Sequence, residues 1–329
     1  MDGHPPPRVD DLGDEVFAID TRMSGYDGIT AAYMIRGSAP CLVETGTARS
    51  AAEVVGALTA LGVGSHDLAT IVVTHIHLDH AGGVGDLGAA FPRARIVVHE
   101  TGARHLVDPT RLMASARRVF GAAVVDEVLG PMTPVAGDRV DALGETGVID
   151  LGDGRALDAL HSPGHARHHM GFVDRLTGDL YVGDAAGLYI PETGDLRPAT
   201  PPPDFDLGQA LESLAAFVAR RPRRLLFSHF GPVDDVAATL ERSADELALW
   251  VDLAGQARDR QLDLDHAVAW VTERTAARYS ALLADAGVAA KFEALNSTAA
   301  NLAGINRWLD GIEATRLPAP AAQPPAPNG

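Results

Sequence analysis

Residues Val72–Gly83 read VVTHIHLDHAGG, with three histidines and an aspartate inside six positions, directly after an apolar run. The chain has 13 His, and at that composition an H-x-H-x-D-H pattern arises by chance roughly 0.002 times, so a random solvated loop does not account for it. On an extended segment, side chains two residues apart point the same way. That places His75, His77 and Asp79 together and turns His80 to the other side. Imidazole nitrogens and carboxylate oxygens are ligands for zinc and similar divalent cations, and a catalytic zinc keeps one position open for water. Four ligands on one loop cannot complete two metal shells, so the rest must come from distant parts of the chain.

Working outward, TIVVT (70–74) is a buried strand, followed after the cluster by a short helix to about Phe91 and the strand ARIVVH (94–99). Upstream, VFAID (16–20), AAYMIR (31–36) and CLVE (41–44) read as strands. Ser50-Ala-Ala-Glu53 matches a capping box that opens a helix ending near Gly62. Residues 100–130 are helical in pattern and carry Arg104, Arg111, Arg117 and Arg118, a solvated face. His99 and His105 belong to no motif and read as structural. GVIDLG and RALDALHSPGH are strands separated by a Gly-Asp-Gly turn, and HMGFVD and DLYVGD are joined by a hairpin turn at Arg175–Gly178. Residues 185–203 carry five prolines and read as a long irregular loop, a type that is usually functional. Asp206 caps the next helix through Gln209. RRLLFSHFGP is a further strand. After Pro232 three amphipathic helical segments are expected, near 234–259, 265–285 and 289–314, and the Pro/Ala-rich residues 318–329 read as a disordered tail.

Three further ligand candidates lie at the C-terminal edges of apolar strands, where loops carry function on a rigid scaffold. His165 follows the sharp turn Pro163-Gly164 in HSPGH, Asp184 ends VGD, and His229 ends LLFSH. Gly183 permits close backbone approach.

At this point the chain resembles the metallo-β-lactamase superfamily of hydrolases. THIHLDHAGG is similar to its signature, SPGH to its third histidine motif, VGD to its bridging aspartate motif and SHFGP to its last histidine motif. VETG at 43–46 is similar to its early Asp-Thr-Gly strand end, with Glu44 where aspartate is more usual. Order and spacing agree over roughly residues 15–232. The resemblance implies an α/β fold, the αββα sandwich of that superfamily, as a catalytic domain over residues 1–232. Residues 233–317 then form a C-terminal helical extension or lid.

The resemblance also implies two divalent metal ions, zinc first, with iron or manganese compatible. His75, His77 and His165 would hold one metal. Asp79, His80 and His229 would hold the other, with Asp184 between them and a bridging water or hydroxide. Asp79 would also orient that water or take its proton, which makes it the catalytic candidate. His169, in PGHARHH, falls where a second histidine often supports the pocket; it and His168 are open between that role and a plain surface one. His161 packs near the turn. Tyr189 and Arg197, on the long loop, are open between substrate contact and solvent.

The implied activity is hydrolysis of a small ester, thioester or lactone, as in the glyoxalase II-like and lactonase-like branches. The alternative is a mononuclear iron persulfide dioxygenase-like oxidoreductase of the same fold. His77 argues against a flavodiiron-type member, where an acidic residue is usual at that place. Bulk properties narrow the partners. A net charge of −17 disfavours nucleic acid and anionic membrane surfaces. Cys41 is the one cysteine, so no internal disulfide forms. No signal-like segment or 18-residue apolar run is visible, so a cytoplasmic protein acting on a small molecule is expected. The apolar stripes after 232 need covering by the core or by a second copy of the chain, so a homodimer is one expected assembly.

Overall fold

The structure is a computed structural model, and it describes residues 6–316. The proposed tail at 318–329 lies outside the described residues. Two sheets form the centre. The first has seven strands in chain order: β1 Val9–Asp11, β2 Val16–Asp20, β3 Ala31–Ile35, β4 Cys41–Val43, β5 Thr70–Val72, β6 Arg95–His99 and β7 Val140–Leu143. The pairs from β1 to β4 are antiparallel, and those from β4 to β7 are parallel. The second sheet contains β8 Thr146–Asp150, β9 Ala156–His161, β10 Met170–Asp174 and β11 Asp179–Gly183. A separate hairpin, β12 Leu188–Ile190 and β13 Asp195–Arg197, follows. Strands β14 Arg224–Phe227 and β15 Gly231–Val233 complete the second sheet, in the order β15-β14-β11-β10-β9-β8.

Period-two alternation decides which side chain faces which layer. Val16, Ala18, Tyr33, Val43 and Val72 meet Leu157, Ala159, Phe172, Tyr181 and Leu226 in the core between the sheets. The alternate residues Phe17, Ile19, Leu42, Ile71 and Ile96 face outward onto helices α1 Ala51–Ala60, α2 Val84–Ala90, α3 Glu100–Val107 and α4 Thr110–Phe120. A short α5 Ala122–Val124 continues into a π turn at Val125–Leu129. On the far side, Leu180, Val182, Leu225 and Phe227 meet Leu214 and Phe217 of α6 Leu207–Arg220. The layers are therefore helix, sheet, sheet, helix, each sheet burying both faces as α/β architectures require.

Among the described residues five helices follow where three were expected: α7 Val236–Asp259, α8 Leu264–Thr275, α9 Ser280–Ala284, α10 Ala286–Leu295 and α11 Thr298–Arg316. Asp263 and Asp285 restart helices by accepting backbone N–H groups, a device that leaves the apolar phase almost unbroken in the sequence. Leu240, Leu247, Trp250, Leu253, Val271, Leu302 and Ile305 bury in the same core as Phe217 and Phe227, so this chain covers the stripes itself. Among the described residues no helix is long and apolar enough to cross a membrane.

Two local expectations are corrected. The Ser50/Glu53 capping box does not form. Thr47 caps a preceding 3-10 turn by accepting the Ser50 N–H, Ser50 Oγ lies 2.9 Å from Thr47 Oγ1, and Glu53 lies 3.1 Å from Arg22. Thr47 already accepts the Ser50 N–H that the Glu53 side chain would take in the box, and the Ser50 side chain makes no cap bond. Residues 185–203 are not wholly irregular, because β12 and β13 pair across the turn around Gly194.

Candidate metal centre

All the ligand candidates gather at the C-terminal ends of strands. His75, His77, Asp79 and His80 follow β5, His165 follows β9, Asp184 follows β11 and His229 follows β14. The sequence-based alternation holds only as far as His77. The His80 and Ala81 N–H groups both bond to the His77 carbonyl, so the chain turns. That turn brings Asp79 and His80 to the same place instead of opposite sides. Three donor sets result, within each of which the candidate atoms lie within 4.8 Å of one another: His75–His77–His165, His75–His80–Asp184 and Asp79–His80–His229.

In the first set His75 Nε2 lies 3.0 Å from His77 Nδ1 and 3.2 Å from His165 Nε2, and His165 Nε2 lies 2.9 Å from His77 Nδ1. In the third, His229 Nε2 lies 3.1 Å from His80 Nε2 and 3.5 Å from Asp79 Oδ2. Ligand atoms around a tetrahedral zinc at ordinary bond lengths lie about 3.3 Å apart, so the spacing fits a cation among them. Asp184 stands between the sets. Its Oδ1 is 3.4 Å from both His80 Nε2 and His229 Nε2, and its Oδ2 is 3.5 Å from His165 Nε2. Oδ1 is buried with no hydrogen-bond partner, a costly state that a cation relieves.

The supporting bonds fix which nitrogen faces inward. A carbonyl only accepts, so His165 Nδ1 donates to Ala199 O (2.9 Å) and His229 Nδ1 to Ile29 O (2.9 Å). Both Nε2 lone pairs are thereby left for the centre. His75 Nδ1 lies 2.9 Å from Thr74 Oγ1. Glu44 Oε1 sits 3.5 Å from His80 Nδ1 and accepts from the Thr74 N–H and Ser228 Oγ–H (3.3 and 3.2 Å), so this residue joins β4, the β5 loop and the β14 loop behind His80.

The electrostatics divide the two sets. Burial, then the rings of His80, His77 and His165, hold His75 well below the usual imidazole range. Burial and His165 lower His77 to about 3. Both are neutral lone-pair donors at neutral pH. At His80 and His229 burial again opposes protonation, yet Asp184 and Asp79, with Glu44 at His80, raise them. Those carboxylates attract positive charge to this corner, and a cation would take the place of the ring protons. Burial opposes ionisation of Asp184 too, but His80, His229 and His165 keep it ionised.

His169 is buried and supports Asp184. Its Nε2 accepts the Asp184 N–H (3.0 Å), so its proton is on Nδ1, 2.8 Å from Ser162 Oγ. Gly183 is required here: its φ is +52°, and a Cβ would fall 2.4 Å from His169 Nε2. His168 is also buried, with its ring 6.2 Å from His75 and 5.9 Å from His77. Tyr189 lies beside His229 through its backbone: its N–H bonds to the His229 carbonyl and its own carbonyl takes the Phe230 N–H. Arg197 does not join the histidine cluster. It is 5% exposed, bonded to Glu293 and Thr298 and lying over Trp250, because β13 turns it into the helices. His161 stacks on His99 at 4.3 Å, His105 bonds Arg104, and Arg117 pairs with Asp126 at the surface. The Ile29 and Ala199 carbonyls had no sequence signal, since every residue carries one; Ser162 became legible only beside His169.

A sheet-sheet sandwich with His/Asp donor sets at its strand ends defines an α/β protein with a candidate metal centre. The sequence model of the Metallo-beta-lactamase superfamily matches residues 25–229, and the chain belongs to that superfamily. The metallo-beta-lactamase fold-containing protein ST1585 of Sulfurisphaera tokodaii is 31% identical over 199 residues, 57% of this chain and 71% of the relative. The crystal structure of that archaeal protein superposes with a TM-score of 0.61 at 26% identity, covering 71% of this chain and 86% of the other. The hydroxyacylglutathione hydrolase of Xanthomonas campestris is 32% identical over 143 residues, 44% of this chain and 42% of the relative. The subclass B3 metallo-beta-lactamase MEM-A1, from a soil metagenome library, shares the fold with a TM-score of 0.57 at 20% identity, over 77% of this chain and 98% of the other.

Proposed function

We propose that the chain is a dinuclear metal-dependent hydrolase that cleaves a small ester, thioester or lactone. The observation that carries this reading is Asp184, whose two oxygens each face a different donor set. The donors are nitrogen and oxygen only, which favours zinc and is compatible with iron or manganese. Two divalent cations held there would polarise a carbonyl and lower the pKa of a shared water. The chain's own part is placement. His77 and Asp79 are the half-exposed members of a set that is otherwise buried, so substrate approaches on their side. Asp79 orients the attacking water there and accepts its proton. His169 and Ser162 keep Asp184 in register. The thioester option is supported by the relative whose name describes hydrolysis of a hydroxyacylglutathione.

The test is elemental analysis together with a panel of aryl esters, acyl thioesters and lactones, on protein reconstituted with zinc, manganese or iron. Close to two metals per chain and hydrolysis of at least one ester class are expected. A single tightly held iron, unchanged by excess zinc or manganese, with oxygen consumption on a glutathione persulfide, overturns the proposal in favour of the dioxygenase reading.

A further inference from the structure

Lys291 is the one lysine of the chain, and it is 6% exposed. A lysine usually keeps its ammonium in water. This one lies on α10 and reaches out of the helical segment altogether. It donates to the carbonyls of Asp27 (3.1 Å) and Gly28 (3.3 Å) in the β2–β3 loop, and it pairs with the Glu192 carboxylate in the β12–β13 turn. Each contact is one short step from His229. Ile29, the next residue after Gly28, supplies the carbonyl that takes the His229 Nδ1 proton. Thr30 Oγ1 is 3.3 Å from the same nitrogen. On the other side, Tyr189 of β12 brackets the His229 backbone through two hydrogen bonds.

The other donor set is held from the helices by separate bonds. His165 Nδ1 rests on the Ala199 carbonyl. The neighbouring Thr200 donates both its N–H (2.7 Å) and its Oγ1–H (2.8 Å) to Asn301 Oδ1 on α11. Asn296 Nδ2 donates to Pro198 O (3.2 Å). The two chains of support share no residue.

We infer that the helical segment fixes the two donor sets independently, with Lys291 as the positioning residue for His229 and Asn301 as the positioning residue for His165. A ring whose Nδ1–H is tied to a carbonyl points where that carbonyl points, so the residue that anchors the loop aims the Nε2 lone pair. The helices after residue 235 are then part of the centre's support and not a detached cover. The metal readout below rests on the two-cation reading proposed above; the exchange readout does not.

The experiment has two arms, each on full-length protein freed of metal with a chelator. In the first, Zn2+ is titrated calorimetrically, and His165→Ala and His229→Ala assign the binding steps. Lys291→Met is expected to weaken the His229 step about tenfold, the lower end for loss of an outer support, and to leave the other step within twofold. Asn301→Ala does the reverse. In the second arm, amide hydrogen exchange is followed without metal. Lys291→Met speeds exchange at residues 189 and 230 and leaves residue 200 slow, and Asn301→Ala again reverses the pattern. If Lys291→Met does not fold, Glu192→Gln, which removes only the carboxylate partner, takes its place with the same selective direction. Equal weakening of both steps, or uniform faster exchange, overturns the inference and leaves Lys291 a general clasp. A wild-type chain that binds one Zn2+ overturns the two-cation reading, while the exchange arm still decides the inference.

Discussion

Asp184 is held in place by histidines at both its backbone and its carboxylate. Its N–H bonds to His169 Nε2, and its carboxylate faces three imidazoles. Replacing Asp184 with Asn keeps the shape and removes the negative charge between two candidate cation positions. The Asp184→Asn protein is expected to keep its circular dichroism and melting cooperativity and to lose at least one metal equivalent; full metal content with full activity would show that the bridge lies elsewhere. His169 offers a subtler change. In His169→Ala the Asp184 N–H is left buried without an acceptor, costing about 1–3 kcal/mol of stability. Metal affinity falls by about tenfold, as for other outer supports, which equilibrium competition with a chelator measures.

The strap at 197–202 shows how an element can be positioned by what it touches. Beyond Arg197, which still pairs with Leu188, its irregular backbone finds partners in Asn296, just past α10, and in Asn301 of α11. Gly304 allows this approach, since a Cβ at that position would fall 1.8 Å from Thr200 O and 2.8 Å from the Pro201 carbonyl carbon. These are backbone atoms and cannot swing away. Gly304→Ala is therefore expected to lower stability by about 1–3 kcal/mol through overpacking, even though Ala favours a helix over Gly by up to about 1 kcal/mol. Thermal unfolding distinguishes the two effects by sign: a raised melting temperature would mean that the strap does not press on α11.

The molecule has one apolar core for its last two layers, not a core and an appendage. Trp250 and Leu253 of α7 bury with Leu180, Leu225 and Phe227 of the second sheet. Removing residues 233–329 exposes that face, and apolar patches of this kind drive association. The shortened protein is expected to be aggregation-prone, to bind a hydrophobic dye, and to change its profile on long-chain esters more than on short ones. A soluble monomer with an unchanged profile would show that the segment serves something other than this site and this core.

The ligand types were legible in the sequence because coordination chemistry restricts them. Few residue types bind divalent cations, and their clustering in HIHLDH and at three strand ends is a local pattern. The strands that lead to the ligands were legible as short runs rich in Val, Ile and Leu, whereas β1, β7, β12 and β13 were not, their sequences being too short or too polar to stand out. The grouping of His80 with Asp79 came only from the family resemblance; strand alternation put them on opposite sides, because their meeting depends on a turn closed by the His77 carbonyl, and any residue can donate that bond. The place of Arg197 was not legible, since β13 turns it away from the histidines toward Glu293 and Trp250. The role of Lys291 was hidden as well: its partners are carbonyls some 260 residues away in the chain. Backbone acceptors carry no residue identity, so only the tertiary structure decides which of them a buried side chain meets.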